Sequence, residues 1–128
     1  MALHHIHSDE TAAPLSAHSD TVLIPPCAAI LVSSGMLGMR KDGTIPESTK
    51  EQVEAAFDNV EPFLRAAVME MGDIVKMTIF TTDARYRDAF RAVHAKRVGD
   101  PAPASTRVVI TPLSMPEPRV EIENRAKV

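Results

Sequence analysis

Residues 49–82 constrain the fold most, because their pattern predicts a long amphipathic helix followed at once by a strand. Apolar side chains recur at steps of 4, 3, 4 and 3 residues, the spacing that lines one face of an α-helix: Val53, Phe57, Val60, Leu64 and Ala67. Ser48 precedes Glu51 by three residues, as in a capping box at a helix start. We therefore predict one helix over about residues 49–71, continuous through Pro62 because the apolar stripe does not break there.

Gly72 is predicted to end this helix, since a glycine commonly follows the last helical turn. The next residues alternate as those of a strand do, with Val75, Met77 and Ile79 on one face and Lys76, Thr78 and Phe80 on the other. Asp83 fits the cap of a second helix over about residues 84–97. Two closing strands are predicted over residues 105–111 and 119–127.

The order of these elements predicts an α+β fold in a single domain over residues 1–128, with two helices packed on one face of a mixed sheet. An apolar run over residues 28–35 is typical of a buried strand, and the strand after the first helix is expected to return beside it. Residues 1–20 are irregular and polar, which indicates a loop or a mobile N-terminal arm. We expect other subunits to cover the sheet face that lacks helices, because it is too apolar to remain exposed to water.

Charge and composition argue against several classes of partner. The net charge is −3, aromatic residues make up 4% of the chain, and no basic stripe is visible, so nucleic-acid binding is not predicted. No segment is apolar for long enough to span a bilayer, so no membrane association is predicted.

Cys27 is the single cysteine, which indicates a reducing, cytoplasmic location, and it is interpreted as a small buried hydrophobe. His4, His5 and His7 have no cysteine or carboxylate at ligand spacing, so an exposed strand is predicted there and no metal site.

The two closing strands carry the strongest candidates for a binding site, Arg107 and Glu121. A short loop joins the strands, so we predict an antiparallel hairpin whose aligned apolar faces place Arg107 on the same side as Glu121 and Glu123. An arginine grips a carboxylate with its planar fork, and a nearby glutamate can hold a water or transfer a proton. The pair suits a small carboxylate-bearing metabolite. A cross-strand ion pair is the alternative and, from spacing alone, the commoner arrangement.

Five segments, in order, resemble the RidA/YjgF family of reactive-intermediate deaminases. They are ILVSSG at 30–35, EQVEAAFDNV at 51–60, MEMGDIVKMTIFTTD at 69–83, PASTRV at 103–108 and VEIE at 120–123. The resemblance runs from about residue 28 to the C-terminus. The set of five in register is specific for the fold, although no single segment is.

This resemblance implies a chorismate-mutase-like fold and a homotrimer with ligand clefts at the three subunit interfaces. It implies hydrolysis of imines or enamines such as 2-aminoacrylate to a keto acid and ammonia, without metal or organic cofactor. Glu121 matches the family's glutamate that positions the attacking water. Ser34 and Gly35 match a Ser-Gly pair whose backbone lines the cleft.

The departures from the family pattern concern substrate binding. Ser105 stands where deaminating members carry the arginine that binds the substrate carboxylate, and Arg107 lies two residues further, roughly 6–7 Å along the strand. His94 stands where the family has an asparagine, and Met36 where it has a glutamine. The loop over residues 112–118 is one residue longer than the family pattern. His94 is interpreted as a surface or interface residue that, if it lines the cleft, donates a hydrogen bond or moves a proton.

The leading hypothesis is an imine or enamine hydrolase of the 2-iminobutanoate/2-iminopropanoate deaminase type. In it Glu121 is catalytic, and the substrate is bound by the side chains of Arg107, Ser105 and His94 and by the backbone of Ser34 and Gly35. The alternative is a trimer of the same fold that binds a metabolite or another protein without catalysis. Ribonuclease activity is a third hypothesis, which the acidic balance disfavours.

Overall fold

The computed structural model describes residues 3–13, 17–112 and 115–127. Its two helices are α1 (Thr49–Ala66) and α2 (Arg87–Arg97), and its seven strands are β1 (His4–Ile6), β2 (Thr21–Leu23), β3 (Ile30–Val32), β4 (Met36–Leu37), β5 (Ile74–Thr81), β6 (Ala104–Val109) and β7 (Val120–Lys127). Short 3-10 turns at Met71–Asp73 and Ala84–Tyr86 precede β5 and α2. Residues 1, 2 and 14–16 of the predicted arm, and 113 and 114 of the predicted long loop, lie outside the described residues.

The main sheet has the order β3, β7, β5, β6, and β4 also pairs with β7. β7 runs antiparallel to β3, β4 and β5, whereas β5 and β6 are parallel and α2 connects them. The prediction of two helices packed on a mixed sheet is confirmed. Two predictions of strand neighbours are wrong. β6 and β7 form no hairpin, and β5 does not return beside β3, because β7 lies between them.

The apolar side of β7 explains its central place in the sheet. Val120 and Ile122 are fully buried in the core beneath the helices, whereas β6 exposes Val108 and Val109 at the sheet edge. A central strand gains two hydrogen-bonded neighbours and buries its core-facing side, so the strand whose core-facing residues are more apolar is the more stable one in that position. The rest of the core comes from both helices and from β5: Val53, Ala56, Phe57, Val60, Leu64, Phe90, Val93, Ile74, Met77 and Ile79.

Helix α1 begins as its sequence predicts and continues through its proline. The Ser48 side chain accepts a hydrogen bond from the backbone N–H of Glu51 at 3.4 Å, and Pro62 lies inside the unbroken helix. Arg97 of α2 then joins the two helices through ion pairs with Glu54 and Asp58, at 3.1 and 2.9 Å. These ion pairs hold the C-terminal end of α2 against α1.

The end of α1 differs from the prediction. The helix ends at Ala66, and Val68 rather than Gly72 takes the left-handed conformation after it, with φ of 58°. The Met69 N–H donates to the Leu64 carbonyl at 2.8 Å, and the Val68 N–H donates to the Arg65 carbonyl at 3.0 Å. These two bonds form a Schellman motif, in which glycine is the usual residue at the position that Val68 occupies.

Replacing Val68 with glycine is expected to stabilise the protein by about 1 kcal/mol, because it removes the strain of a β-branched residue in the left-handed region. Val68 is 87% exposed, so little packing is lost. Thermal unfolding should show a higher Tm. Val109→Gly is the control, since Val109 is also exposed but has no positive φ, and this variant should be less stable than the wild type. A lower Tm for Val68→Gly would contradict the strain argument.

The N-terminal segment is bonded to the sheet edge at Ser19. The Ser19 backbone N–H donates to the Pro103 carbonyl at 3.1 Å, and its hydroxyl donates to the Ala102 carbonyl at 2.5 Å. His18 is thereby placed beside β6.

Cys27 is exposed, with φ of 64°, so its interpretation as a buried hydrophobe is wrong. The left-handed turn after two prolines directs the chain so that this side chain faces solvent.

Candidate functional site

Glu121 and Gly35 form the first part of the candidate site. Leu37 of β4 pairs with Glu121 of β7. Because Gly35 lies just before β4, this pairing brings Gly35 against the Glu121 side chain. A Cβ atom on residue 35 would lie 2.6 Å from Glu121 Cγ and 2.5 Å from Cδ, so the glutamate packs directly on the Gly35 backbone. Only glycine allows that approach. Ser34 is exposed immediately before Gly35.

The Glu121 carboxylate has no hydrogen bond and no ion pair with any residue that the structure describes. Its side chain is half-buried on the sheet face that lacks helices. A carboxylate in this state can accept a proton or hold a water, because none of the cations or donors that the structure describes occupies its oxygens.

Two polar side chains of α1 hold the β4 segment in place. The Asn59 amide donates to the carbonyls of Leu37 and Met39, both at 2.8 Å. Gln52 is buried, donates to the Pro46 carbonyl at 2.8 Å and accepts from the Arg119 backbone N–H at 2.8 Å. Sequence reasoning missed both residues. The available signal was an uncharged amide beside the apolar stripe of a helix, where burial requires hydrogen-bonding partners.

Ser105, Arg107 and His94 form the second part of the site. They line a cavity of about 500 Å³ between α2 and β6, together with Ala17, His18, Ile79, Arg87, Phe90, Arg91 and Ala95. Sequence reasoning missed Arg87 and Arg91. Their spacing of four residues, which places both on one face of a helix, was the signal available for them.

The two parts of the site lie on opposite faces of the sheet. Arg107 is paired with Ile79 of β5, on the helix side, whereas Glu121 is paired with Phe80, on the other side. The predicted placement of Arg107 on the same side as Glu121 is therefore wrong. The cause is β6, whose Ser105 and Arg107 face the cavity beside α2 while Val108 faces away from the helices. The alternative of a cross-strand ion pair between Arg107 and Glu121 fails for the same reason.

The surroundings of Arg107 in the cavity destabilise its charged form. Partial burial lowers the pKa of its guanidinium, and the positive charges of Arg91 and Arg87 lower it further, while Asp88 opposes the shift. Arg107 makes no hydrogen bond or ion pair with the residues in the described ranges. An anion in the cavity would therefore find a cation that has no bonded partner among the described residues.

His94 is buried, which corrects its interpretation as a surface residue. Its ring packs against Phe90 at 5.3 Å between centroids, and its Nε2 atom has no hydrogen-bond partner among the described residues. Burial lowers the pKa of His94 to about 4, with a smaller contribution from His18. His94 is therefore neutral near pH 7, where it can donate or accept one hydrogen bond but carries no charge.

The buried His94 predicts a loss of stability in mild acid. Its folded pKa lies below its unfolded pKa, so the unfolded chain binds the proton first as the pH falls from about 6.5 to 4. Over that window the free energy of unfolding should fall by up to about 3 kcal/mol through this residue. Urea unfolding at several pH values, compared with His94→Gln, measures this contribution. Parallel pH profiles for the two proteins would contradict it.

The part of the chain that the structure describes contains no group of three or more His, Cys, Asp or Glu side chains arranged to hold a metal ion. Near the N-terminus, the His5 ring contacts the Ser19 hydroxyl at 2.7 Å and the His7 ring contacts the Asp20 carboxylate at 2.9 Å. A search of the same residues finds no helix with the length and apolar character needed to cross a membrane.

Comparison with known proteins assigns the family. The model of the family described as Endoribonuclease L-PSP matches residues 10–128, nearly the whole chain. The chain belongs to the RidA/YjgF family. A RutC family protein from Aquifex aeolicus is 32% identical to this RidA/YjgF member over 127 residues, covering 92% of this chain and 94% of the relative.

Two further RidA/YjgF comparisons bear on fold and on chemistry. A solved structure of the Rid family protein YyfB from Yersinia pestis, described as of unknown function, has a TM-score of 0.87 and covers 100% of both chains. At 19% identity, this likeness shows the fold. The 2-iminobutanoate/2-iminopropanoate deaminase of Escherichia coli is 34% identical over 55 residues, which cover 42% of this chain and 43% of that protein.

Proposed function

We propose that the protein hydrolyses a carboxylate-bearing imine or enamine in clefts between the subunits of a homotrimer. The observation that carries the proposal is the division of the candidate site, with Glu121 on one sheet face and Arg107 on the other. Neither part alone offers both an anchor for the substrate and a base for water. A neighbouring copy that packs on the helix-free face supplies its Arg107 cavity to the Glu121 of the first copy.

The helix-free face has the character that such packing requires. Ile30, Val32 and Val108 lie on it and are 54%, 65% and 39% exposed. Apolar side chains on an open sheet face are more stable when another surface removes them from water. The RidA/YjgF resemblance supports the same assembly, because it implies ligand clefts at subunit interfaces.

In the proposed reaction Arg107 binds the substrate carboxylate and Glu121 orients a water toward the imine carbon. The water oxygen bonds to that carbon while Glu121 accepts a proton from the water. The C=N double bond thereby becomes a single bond. Glu121 returns the proton to the nitrogen, which gives a neutral carbinolamine. The hydroxyl proton then moves to the nitrogen, the C–N bond breaks, and ammonia and a keto acid leave. Free imines hydrolyse readily, so positioning and proton transfer suffice.

The names of the relatives support this chemistry, and the single cysteine fits the reducing, cytoplasmic location that we propose for the protein. No metal or organic cofactor takes part in the proposed steps. Glu121 and the Gly35 backbone act at the imine carbon, whereas Arg107, Ser105 and His94 surround the carboxylate end. Ser34 borders the same cleft.

The test is to add the purified protein to an amino-acid oxidase reaction and to follow the free imine by its reaction with semicarbazide. The proposal expects less semicarbazone in the presence of the protein, because hydrolysis competes with trapping. The Glu121→Gln variant should leave semicarbazone formation unchanged. If the wild type has no effect with any imine in a panel of neutral, apolar and acidic side chains, the proposed activity is wrong.

A second candidate function is binding without turnover. It is favoured by Ser105, which stands at the position of the arginine in deaminating RidA/YjgF members. Thermal stabilisation by keto acids without imine hydrolysis would support it. RNA cleavage, which the description of the family model suggests, ranks last because the net charge is −3. It would gain support only from cleavage that survives repurification and is lost in a variant of a cleft residue.

A further inference from the structure

A short N-terminal hairpin lies beside the edge of the main sheet. Strands β1 and β2 pair with each other in a separate two-stranded sheet, with His4 opposite Leu23 and Ile6 opposite Thr21. A two-stranded hairpin is at best marginally stable on its own in water. The position of this segment therefore depends on where the chain before β2 is attached to the rest of the fold.

Ser19 makes that attachment. Its backbone N–H donates to the Pro103 carbonyl at 3.1 Å, its hydroxyl donates to the Ala102 carbonyl, and it forms a parallel bridge with Ala104 at the start of β6. The His5 ring lies 2.7 Å from the same hydroxyl oxygen and donates to it, because the hydroxyl proton is directed at Ala102. Ser19 is 2% exposed, so loss of a partner there is costly.

The two residues before this anchor form a wall of the Arg107 cavity, the cavity between α2 and β6. Ala17 and His18 line that cavity, and they also line a second cavity of about 500 Å³ on the side of residues 99–102. Ala17 is exposed and His18 is half-buried, so burial in the core does not fix this stretch of chain. Its position beside the Arg107 cavity follows from the attachment of the chain at Ser19.

The surroundings of His94 show that this wall is close to the interior of the cavity. Burial is the main cause of the low pKa of His94, about 4, and the charge of His18 lowers the pKa further. Arg87, Arg91 and Arg107 line the same cavity. If residues 17 and 18 moved away, water would reach His94 and the charge of His18 would lie further from it, so both causes would weaken.

We infer that Ser19 is a positioning residue for the carboxylate end of the site. It fixes residues 17 and 18 beside β6, and this wall closes the cavity around the group that Arg107 binds. The inference rests on the proposed function, because it takes that group to be the substrate carboxylate. A closed wall excludes water from the pair of guanidinium and carboxylate, and a charge pair is stronger in less polar surroundings. Ser19 acts through the wall and does not line the Arg107 cavity itself.

The first test needs neither ligand nor turnover. Ser19→Ala removes the hydroxyl and keeps the backbone N–H. We expect the pKa of His94, followed by NMR titration of the full-length protein, to rise from about 4 toward its ordinary value of 6.5. Thr21→Ala is the matched control, because the Thr21 hydroxyl donates to the Ile6 carbonyl at 3.2 Å within the hairpin. The same His94 pKa in the wild type and in Ser19→Ala would overturn the inference.

Calorimetric titration with pyruvate and 2-oxobutanoate measures binding at the carboxylate end. Ser19→Ala should raise Kd about 10-fold, and Thr21→Ala should leave it within about twofold of the wild type. In a His18→Ala background, Ser19→Ala should raise Kd by less than about threefold, because the two residues act through one wall. A full further increase in that background, an unchanged Kd in Ser19→Ala, or a wild type that binds neither keto acid would each overturn the inference.

Turnover separates this inference from the proposed function. Ser19→Ala should raise KM for an imine about 10-fold and keep kcat within about twofold, because Glu121 acts from the opposite face of the sheet. Imine hydrolysis with an unchanged KM would overturn the inference and leave the proposed function standing. No hydrolysis of any imine, together with weaker binding of keto acids by Ser19→Ala, would overturn the proposed activity but support the role of Ser19.

Discussion

Glu121→Gln is expected to lower kcat for imine hydrolysis by at least about 100-fold, the usual contribution of a general base. The amide keeps the size and shape of the side chain but cannot accept a proton. The side chain lies against Gly35 and makes no hydrogen bond or ion pair with the described residues, so the substitution should leave the fold intact. Steady-state kinetics and a thermal melt of the same preparation measure the two effects.

Glu123→Gln is the matched control for this prediction. Glu123 lies two residues further along β7, on the same sheet face, and is exposed. Its substitution removes the same charge from the same surface but not from the position beside Gly35. We expect activity within about twofold of the wild type. An equal loss in both variants would show that surface charge, and not proton transfer at Glu121, governs the rate.

Arg107→Gln is expected to raise KM about 10- to 100-fold with a smaller change in kcat. Removal of one partner of a partly buried charge pair typically costs about 2–3 kcal/mol, and in the proposed reaction Arg107 contacts the part of the substrate that does not react. Glutamine can still donate hydrogen bonds to a carboxylate but carries no charge. The KM and kcat of the purified variant, measured with one imine over a range of concentrations, give the result.

Ser105 allows a rescue of this variant. Ser105 and Arg107 are paired with Met77 and Ile79 on the helix side of β5, and both line the same cavity. Introducing Ser105→Arg into the Arg107→Gln variant moves the guanidinium by roughly 6–7 Å along β6 but keeps it in the cavity. We expect KM to recover by at least about fivefold. An unchanged KM in Arg107→Gln alone would show that Arg107 does not bind the substrate.

The helices of this fold are predictable from sequence because their signals are local. The apolar stripe and the Ser48 cap gave the start of α1, and its continuity through Pro62 followed from the same stripe. The end of α1 was not predictable. Val68 accepts a left-handed conformation that its side chain disfavours, since the Schellman hydrogen bonds and the packing of Met69 outweigh that cost.

Strand neighbours were not predictable, because pairing depends on contacts far apart in the chain. Alternation along β6 shows which residues share a face, but it does not show which face of the sheet that is. The placement of Arg107 therefore required the register between β5 and β6. The family resemblance implied that Glu121 and the Gly35 backbone belong to one cleft, but it did not predict the close contact that the structure shows between them. Arg87 and Arg91 line the cavity because the crossover between the parallel strands β5 and β6 packs α2 beside β6. That packing could not be predicted from the spacing of the two arginines.

The central claim is that each active site takes Glu121 from one subunit and Arg107 from its neighbour. Mixing two inactive variants in one assembly tests it most directly. Glu121→Gln and Arg107→Gln chains are unfolded together in equal amounts and refolded. Activity is then measured at a substrate concentration at which each variant alone is nearly inactive. Half of the chains supply each intact residue, so about one quarter of the interfaces should contain both, and activity should rise to about one quarter of the wild-type value. Activity that stays at the mean of the two separate variants would show that one chain supplies both residues, and it would contradict the claim.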